Sequence, residues 1–126
     1  MKNINKCPFC EILDDEIYIS NDYAIARFDK FPVNPGHLLI IPKIHISNYF
    51  DLEKTYKSAC WDLIDLAKIL LEKNFNPDGF NIGININEVS GQTIWHAHIH
   101  LIPRYKNDVD NPQGGVRGVI PSKKTY

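Results

Sequence analysis

The chain has 126 residues, 44% hydrophobic and 23% charged, the proportions of one soluble globular domain with its own core. A net charge of −1 speaks against broad electrostatic binding to nucleic acid or membrane surfaces. No apolar run approaches transmembrane length, Met1 to Lys6 lacks the apolar region of a signal peptide, and three cysteines, an odd number, argue for a reducing cytoplasm rather than a disulfide framework.

Cys7-Pro8-Phe9-Cys10 is the first stretch with chemistry. Two thiols at this spacing can grip one zinc ion or form a redox pair. A redox pair would follow a strand and open a helix, and no strand precedes this one. A zinc half-site and a pair of reduced, partly buried thiols both stand. Glu16 to Ser20 and Tyr23 to Asp29 then read as two strands joined by an Asn21-Asp22 hairpin turn. Asp29 ends the second strand, either as a solvated turn residue or as a carboxylate able to accept two hydrogen bonds. Asn34-Pro35-Gly36 is a turn by composition, His37 to Ile41 a buried strand, and Pro42 to Asn48 a connection with capping potential.

Asp51 to Phe75 reads as the one long helix. Leu52, Tyr56, Ala59, Leu63, Leu66, Ala67, Leu70 and Leu71 form its apolar stripe, with Cys60 on or near it and Trp61 free for partial exposure or a subunit contact. Asn76-Pro77-Asp78-Gly79 stops it. Phe80 to Asn87 alternates, with Phe80, Ile82, Ile84 and Ile86 against Asn81, Gly83, Asn85 and Asn87, giving a strand with one core face and one amide-rich face.

Glu88 to Gly91 returns the chain as Gly91 to Arg104, GQTIWHAHIHLIPR, which holds three of the five histidines. A strand has a side-chain period of two, so His96, His98 and His100 share one face and Ala97, Ile99 and Leu101 the other. A helix would spread the imidazoles around a cylinder, and Pro103 suits a strand edge. The alternative is an exposed polar face or a surface metal-binding run, but three histidines in register behind a Gly-Gln-Thr turn favour a functional cluster. The expected fold is α+β, a five-stranded antiparallel sheet with the long helix packed on it and a short N-terminal helical or metal-binding segment. The expected division is a domain over 1–104 and a C-terminal extension over 105–126, where Gly and Pro breaks interrupt a partly apolar segment that either docks or stays disordered.

His-apolar-His-apolar-His behind Gly91-Gln92-Thr93, with Asp29, the Pro35-Gly36-His37 turn and Leu38 to Ile41 ending in Pro42-Lys43, resembles the histidine triad (HIT) superfamily over about Cys7 to Arg104. The extension looks like that of a bacterial branch, and Leu101-Ile102-Pro103-Arg104 is similar to the Fhit-like diadenosine polyphosphate hydrolases. The resemblance implies a structural zinc on Cys7, Cys10, His45 and His96, as in relatives with the cysteine pair and in galactose-1-phosphate uridylyltransferases. It implies a histidine nucleophile at His98, with His100, His37 and Thr93 completing the catalytic set. It implies nucleotide contacts at Asp29 for the ribose, at Asn85 for the α-phosphate or ribose, and at Gln92 and Gly91 for the phosphate. Phe28, Phe31 and Pro32 lie beside Asp29 and could flank a base, and core packing accounts for Phe28 equally well. Attack through a nucleotidyl-histidine needs no divalent metal. The substrates implied are dinucleoside polyphosphates such as diadenosine tetraphosphate. The alternatives are a nucleoside phosphoramidase of the same superfamily and a nucleotide-binding regulatory module with little turnover. A homodimer through the long helix and the neighbouring strand is implied as well.

Overall fold

A computed structural model of the chain describes residues 6–126. Met1 to Asn5, part of the segment read for a leader, lie outside the described residues. The strands are β1 (Ile19–Ser20), β2 (Ala24–Phe28), β3 (Leu38–Pro42), β4 (Gly79–Gly83) and β5 (Ile99–Arg104). They form one antiparallel sheet in the order β1-β2-β3-β5-β4. The helix α1 (Lys54–Phe75) packs across β2 and β3. This is the expected α+β architecture.

Strand alternation assigns each face its work. Ala24 and Ala26 on β2, Leu38 and Ile40 on β3, and Ile99 and Leu101 on β5 face the helix. The two alanines keep that face shallow, so α1 comes close with Ala59, Cys60, Leu63, Ile64, Ala67 and Leu71. Each fully buried Leu or Ile in such a layer stabilises the fold by about 1.5–3 kcal/mol. Burial pushes the Cys60 thiol up to about 12, so it is an inert core residue. On the opposite face, Ile25, Leu39 and Ile41 are covered by Cys7 and Phe9 of the N-terminal segment. The remainder of that face is open and polar.

Several boundaries differ from the sequence expectation, each for a local reason. A 3-10 turn over Asp14–Glu16 takes the place of the start of the first strand. The helix begins at Lys54 because Tyr49–Asp51 forms a separate 3-10 turn, whose first free N–H, on Phe50, is capped by the Asn48 side chain at 2.8 Å. Leu66 is exposed and Ile64 is buried, since Leu66 lies well around the cylinder from the centre of the stripe. Trp61 is exposed and its indole N–H donates to the Tyr49 hydroxyl at 3.0 Å. Asn76 ends the helix in the left-handed conformation at φ 52°, as its place before Pro77 suggested.

The largest differences lie in the last two strands. β4 stops at Gly83, and Ile82 on this edge strand is exposed. β5 starts only at Ile99, so His96 to His98 precede the ladder rather than stand in it. The Ala97 N–H instead donates to the Ile46 carbonyl at 2.7 Å. That bond draws the histidine segment away from β4 toward the chain leaving β3, and Ile84 to Asn87 are left without a partner strand.

The turn before β3 requires glycine. Gly36 has φ +88°, and a Cβ there would meet Pro103 at 3.1 Å and the Phe75 ring at 3.2 Å. Beyond β5 the chain folds back with 3-10 turns at Gly115–Val119 and Pro121–Lys123. Its start is pinned: Arg104 donates twice to Asp108, at 2.7 and 2.8 Å, and the Asn34 amide donates to the same carboxylate at 2.8 Å. The Arg104 guanidinium holds the Asp108 carboxyl well below the usual carboxylate range.

Candidate functional site

The polar face of the sheet floors a cavity of about 770 Å³ whose lining includes Asp29, Leu39, Asn85, Gln92, His98 and His100. Register explains the grouping. Arg27 on β2 pairs with Leu39 on β3, and Leu39 pairs with His100 on β5, so the three stand in one row across the sheet. Asp29 follows two residues after Arg27, where its N–H donates to the His37 carbonyl at 2.9 Å.

Hydrogen-bond partners fix which nitrogen of each imidazole carries the proton. A carbonyl only accepts. His98 Nδ1 lies 2.9 Å from the His96 carbonyl, so Nδ1 is protonated and Nε2 keeps a free lone pair. The Val33 N–H donates to His37 Nδ1 at 3.1 Å, which puts the proton of His37 on Nε2. That Nε2–H faces His100 Nδ1 at 3.0 Å, with the Asp29 carboxylate a more distant acceptor at 3.5 Å. His100 Nδ1 therefore accepts, and His100 carries its proton on Nε2. One ring of the pair offers a lone pair and the other a donor.

Burial keeps these rings neutral. It pushes the His100 imidazole down to about 4, helped by the neighbouring His98 and His37 rings. His98 and His37 are also depressed, burial again being the larger cause. A neutral imidazole is the nucleophilic form, so the cluster is ready for nucleophilic attack at neutral pH.

His96, 0% exposed, belongs to a different group. Its Nε2 donates to the Pro42 carbonyl at 2.8 Å, which leaves Nδ1 free for the other side. There Nδ1 lies 3.5 Å from the Sγ atoms of Cys7 and Cys10 and 3.3 Å from His45 Nδ1, while Cys10 Sγ and His45 Nδ1 are 3.2 Å apart. A tetrahedral centre with metal–sulfur bonds of about 2.3 Å and metal–nitrogen bonds of about 2.0–2.1 Å spaces its S and N ligands roughly 3.5 Å apart and its N ligands roughly 3.3–3.4 Å apart. The four side chains can therefore hold a metal ion in an S₂N₂ set, with the Pro42 carbonyl orienting one imidazole from outside. Phe9, between the two cysteines, packs edge-on against His98 with ring centroids 5.0 Å apart, which couples the two centres.

The remaining residues named from the sequence divide. Asp29, Asn85, Gly91, Gln92, Thr93 and Phe31 line the cavity. Phe28 does not: alternation turns it to the helix face, where it packs on Tyr18 and Phe75. Gln92 is buried with its amide engaged on both ends. It accepts from the Asn87 N–H at 2.8 Å and donates to the Ser47 and Ile94 carbonyls at 2.9 and 3.1 Å. Those bonds shape the loop and leave the Gln92 amide little to offer a ligand. Phe9, Leu39 and Arg27 are among the lining residues that the sequence reading did not assign to the site.

The chain matches the family model described as "HIT domain" over residues 11–107. It is 35% identical over 100 residues to a bis(5'-adenosyl)-triphosphatase of Dictyostelium discoideum, covering 79% of this chain and 67% of that protein. The fold superposes on a HIT family protein from Bacillus anthracis with a TM-score of 0.73 at 36% identity, covering 82% of this chain and 77% of that one. A Zn-bound histidine triad family protein from Mycobacterium smegmatis matches with a TM-score of 0.75 at 26% identity, over 82% and 78%.

Proposed function

This chain belongs to the histidine triad (HIT) family, and we propose that it hydrolyses dinucleoside polyphosphates of the diadenosine tetraphosphate kind through a nucleotidyl-histidine intermediate. The observation that carries the reading is the proton pattern of the cluster: a free lone pair on His98 Nε2 beside an N–H on His100 Nε2. His98 Nε2 attacks the α-phosphorus, an N–P bond forms, and the P–O bond to the leaving phosphate breaks. Thr93, on the cavity wall, donates to the departing oxygen. Water then attacks the same phosphorus, the N–P bond breaks, and a nucleoside monophosphate leaves with His98 regenerated. His100 donates to the non-bridging oxygens as charge builds, and His37 orients His100 through their shared hydrogen bond. Asp29 takes the ribose hydroxyls, and Asn85 and the Gly91 backbone take the phosphate flank. The bis(5'-adenosyl)-triphosphatase relative supports this substrate class.

Incubation with diadenosine tetraphosphate should release AMP. Release from an adenosine phosphoramidate alone would move the activity to the P–N bond, and release from neither would reduce the protein to a binding module. Replacing His100 with alanine should leave a folded, metal-replete enzyme whose kcat falls by roughly 10²–10³, the usual cost of one donor to developing charge. Steady-state kinetics with metal analysis on the same sample checks both halves.

Zinc is the ion we assign to Cys7, Cys10, His45 and His96, because two thiolates and two imidazoles at tetrahedral spacing are its preferred structural set. A closed set leaves no open position, so its role is structural. The Zn-bound relative supports the same assignment. All three cysteines are free thiols, consistent with a cytoplasmic protein, and no helix among the described residues is long and apolar enough to cross a membrane. We also propose a homodimer, since α1 leaves Leu66 and Ile69 exposed and the edge strand β4 exposes Ile82. Sedimentation should show a species of about twice the 14.5 kDa chain mass at micromolar concentration, and a single 14.5 kDa species would contradict the proposal.

A further inference from the structure

Arg27 is a buried arginine that forms no ion pair within 4 Å among the described residues. It is 7% exposed, and its Nε has no hydrogen-bond partner among the described residues. No carboxylate among them forms an ion pair with it; the nearby Glu16 is paired with Lys30 at 3.1 Å. The only directed contact of the guanidinium is its stacking on the Phe9 ring, 5.2 Å from Cζ to the ring centroid. Yet Arg27 lines the same cavity as His98, His100 and Asp29. Desolvating a charged group without partners is unfavourable, so a fold that keeps one at a cavity wall is prepared for a ligand that supplies acceptors.

Position says which part of the ligand arrives there. Arg27 stands two strands away from His100 in the row Arg27–Leu39–His100, roughly 10 Å across the sheet. The guanidinium lies 5.2 Å from the centroid of the Phe9 ring, which is in turn 5.0 Å from the His98 ring, so Phe9 bridges it and the attacking imidazole. The flank beyond the histidines, with Asn85, Gly91 and Thr93, is polar and suits the phosphates. Near Arg27, Phe9, Leu13 and Leu39 offer apolar surface for a flat ring, with the charged Glu11, Glu16 and Lys30 also in the cavity lining. Asp29, the ribose ligand in the reading given above, lies two residues along the same strand on the same face, roughly 7 Å away. A nucleotide with its α-phosphate at His98 and its ribose at Asp29 places its base in the slot against Arg27.

We propose that Arg27 reads the base and gives this protein a preference for guanine over adenine nucleotides. The guanidinium is a fork of donors with no acceptor. Guanine offers two adjacent acceptors, O6 and N7, that match the fork, whereas adenine sets an amino donor beside its N7. Only guanine satisfies both arms. The inference rests on the nucleotide-hydrolase reading of the site, and within that substrate class it puts guanosine-containing dinucleotides or conjugates ahead of their adenosine counterparts.

Calorimetric titration of the zinc-loaded protein with GMP and with AMP tests it. The wild-type protein should bind GMP about tenfold or more tightly than AMP, the size of one good bidentate base contact. Arg27→Met keeps an apolar stem against Phe9 and removes the donors. It should bring the two affinities within about twofold, by weakening GMP and leaving AMP nearly unchanged. It should not lower the melting temperature, because no hydrogen bond or ion pair among the described residues is lost and the methionine stem keeps the packing on Phe9. Arg27→Lys keeps the charge without the fork and should not restore the GMP preference. Wild-type protein that binds AMP as well as GMP overturns the proposal. So does equal weakening of both nucleotides by Arg27→Met with recovery in Arg27→Lys, which would put a phosphate at Arg27. Protein that binds neither nucleotide overturns the hydrolase reading itself. If Arg27→Met does not fold, Arg27 is a structural residue and the proposal fails, whatever the wild-type ratio.

Discussion

His98→Ala should abolish turnover, with kcat falling on the order of 10⁶, while the protein stays folded, keeps its metal and still binds nucleotide. The loss is this large because no neighbour can take over. His100 presents its protonated Nε2 to the cavity, since Nδ1 is occupied by His37 at 3.0 Å. His37 is 2% exposed and has its Nδ1 occupied by the Val33 N–H. His96 is turned away, with Nε2 on the Pro42 carbonyl and Nδ1 in the cysteine cluster. One lone pair among four imidazoles faces the cavity, and it belongs to His98. Steady-state kinetics on the purified variant, with melting curves and nucleotide titration as controls, measures the loss. A variant retaining a tenth of wild-type turnover would place the covalent step elsewhere.

Removing the metal should be the most destabilising change available. The protein should carry one zinc per chain, and loss of both Cys7 and Cys10 should remove it and lower the melting temperature by on the order of 10 °C or more. The four proposed ligands come from three separate pieces of chain, the Cys7–Cys10 turn, His45 after β3 and His96 before β5, which a bound ion would tie together. Without it two thiols and two imidazoles would lose their common partner. Phe9 also loses its anchor against His98. Activity should fall together with stability, and His96→Ala should act like the cysteine double variant and unlike His100→Ala. Metal analysis of protein purified without chelators decides the matter. An absence of zinc would contradict the assignment, and zinc surviving the loss of both cysteines would contradict the ligand set.

The sheet and the helix were legible in the sequence because each rests on a period, whereas the grouping of His37 with the triad and of His45 and His96 with the cysteine pair came from the family resemblance. Ala97, Ile99 and Leu101 are buried on the helix side while His98 and His100 face the cavity, as an alternation of two dictates. The alternation could not tell where the ladder begins. His96 to His98 keep the rhythm of a strand, but their backbone is held by the Ile46 carbonyl rather than by β4. The same limit applies to Ile84 to Asn87, which alternate as well as Phe80 to Gly83 and yet leave the sheet. Phe28 was read toward the ligand because it adjoins Asp29, but adjacent strand residues face opposite ways, and it packs under the helix. Gln92 shows the opposite error: its place before the triad was right, and its amide is committed to the loop. Arg27 was invisible because a lone arginine in a short strand reads as solvated. Only the neighbouring Phe9, brought over from the cysteine turn, makes it a buried one.

The central claim is a covalent bond between His98 Nε2 and the α-phosphorus of a nucleotide. Mixing the enzyme with a dinucleoside polyphosphate labelled in its nucleoside moiety, quenching within a turnover and mapping the labelled peptide tests it most directly. The nucleotidyl adduct should appear on His98 alone and be absent from His98→Ala. An adduct on His100, His37, His96 or any other residue would contradict the mechanism.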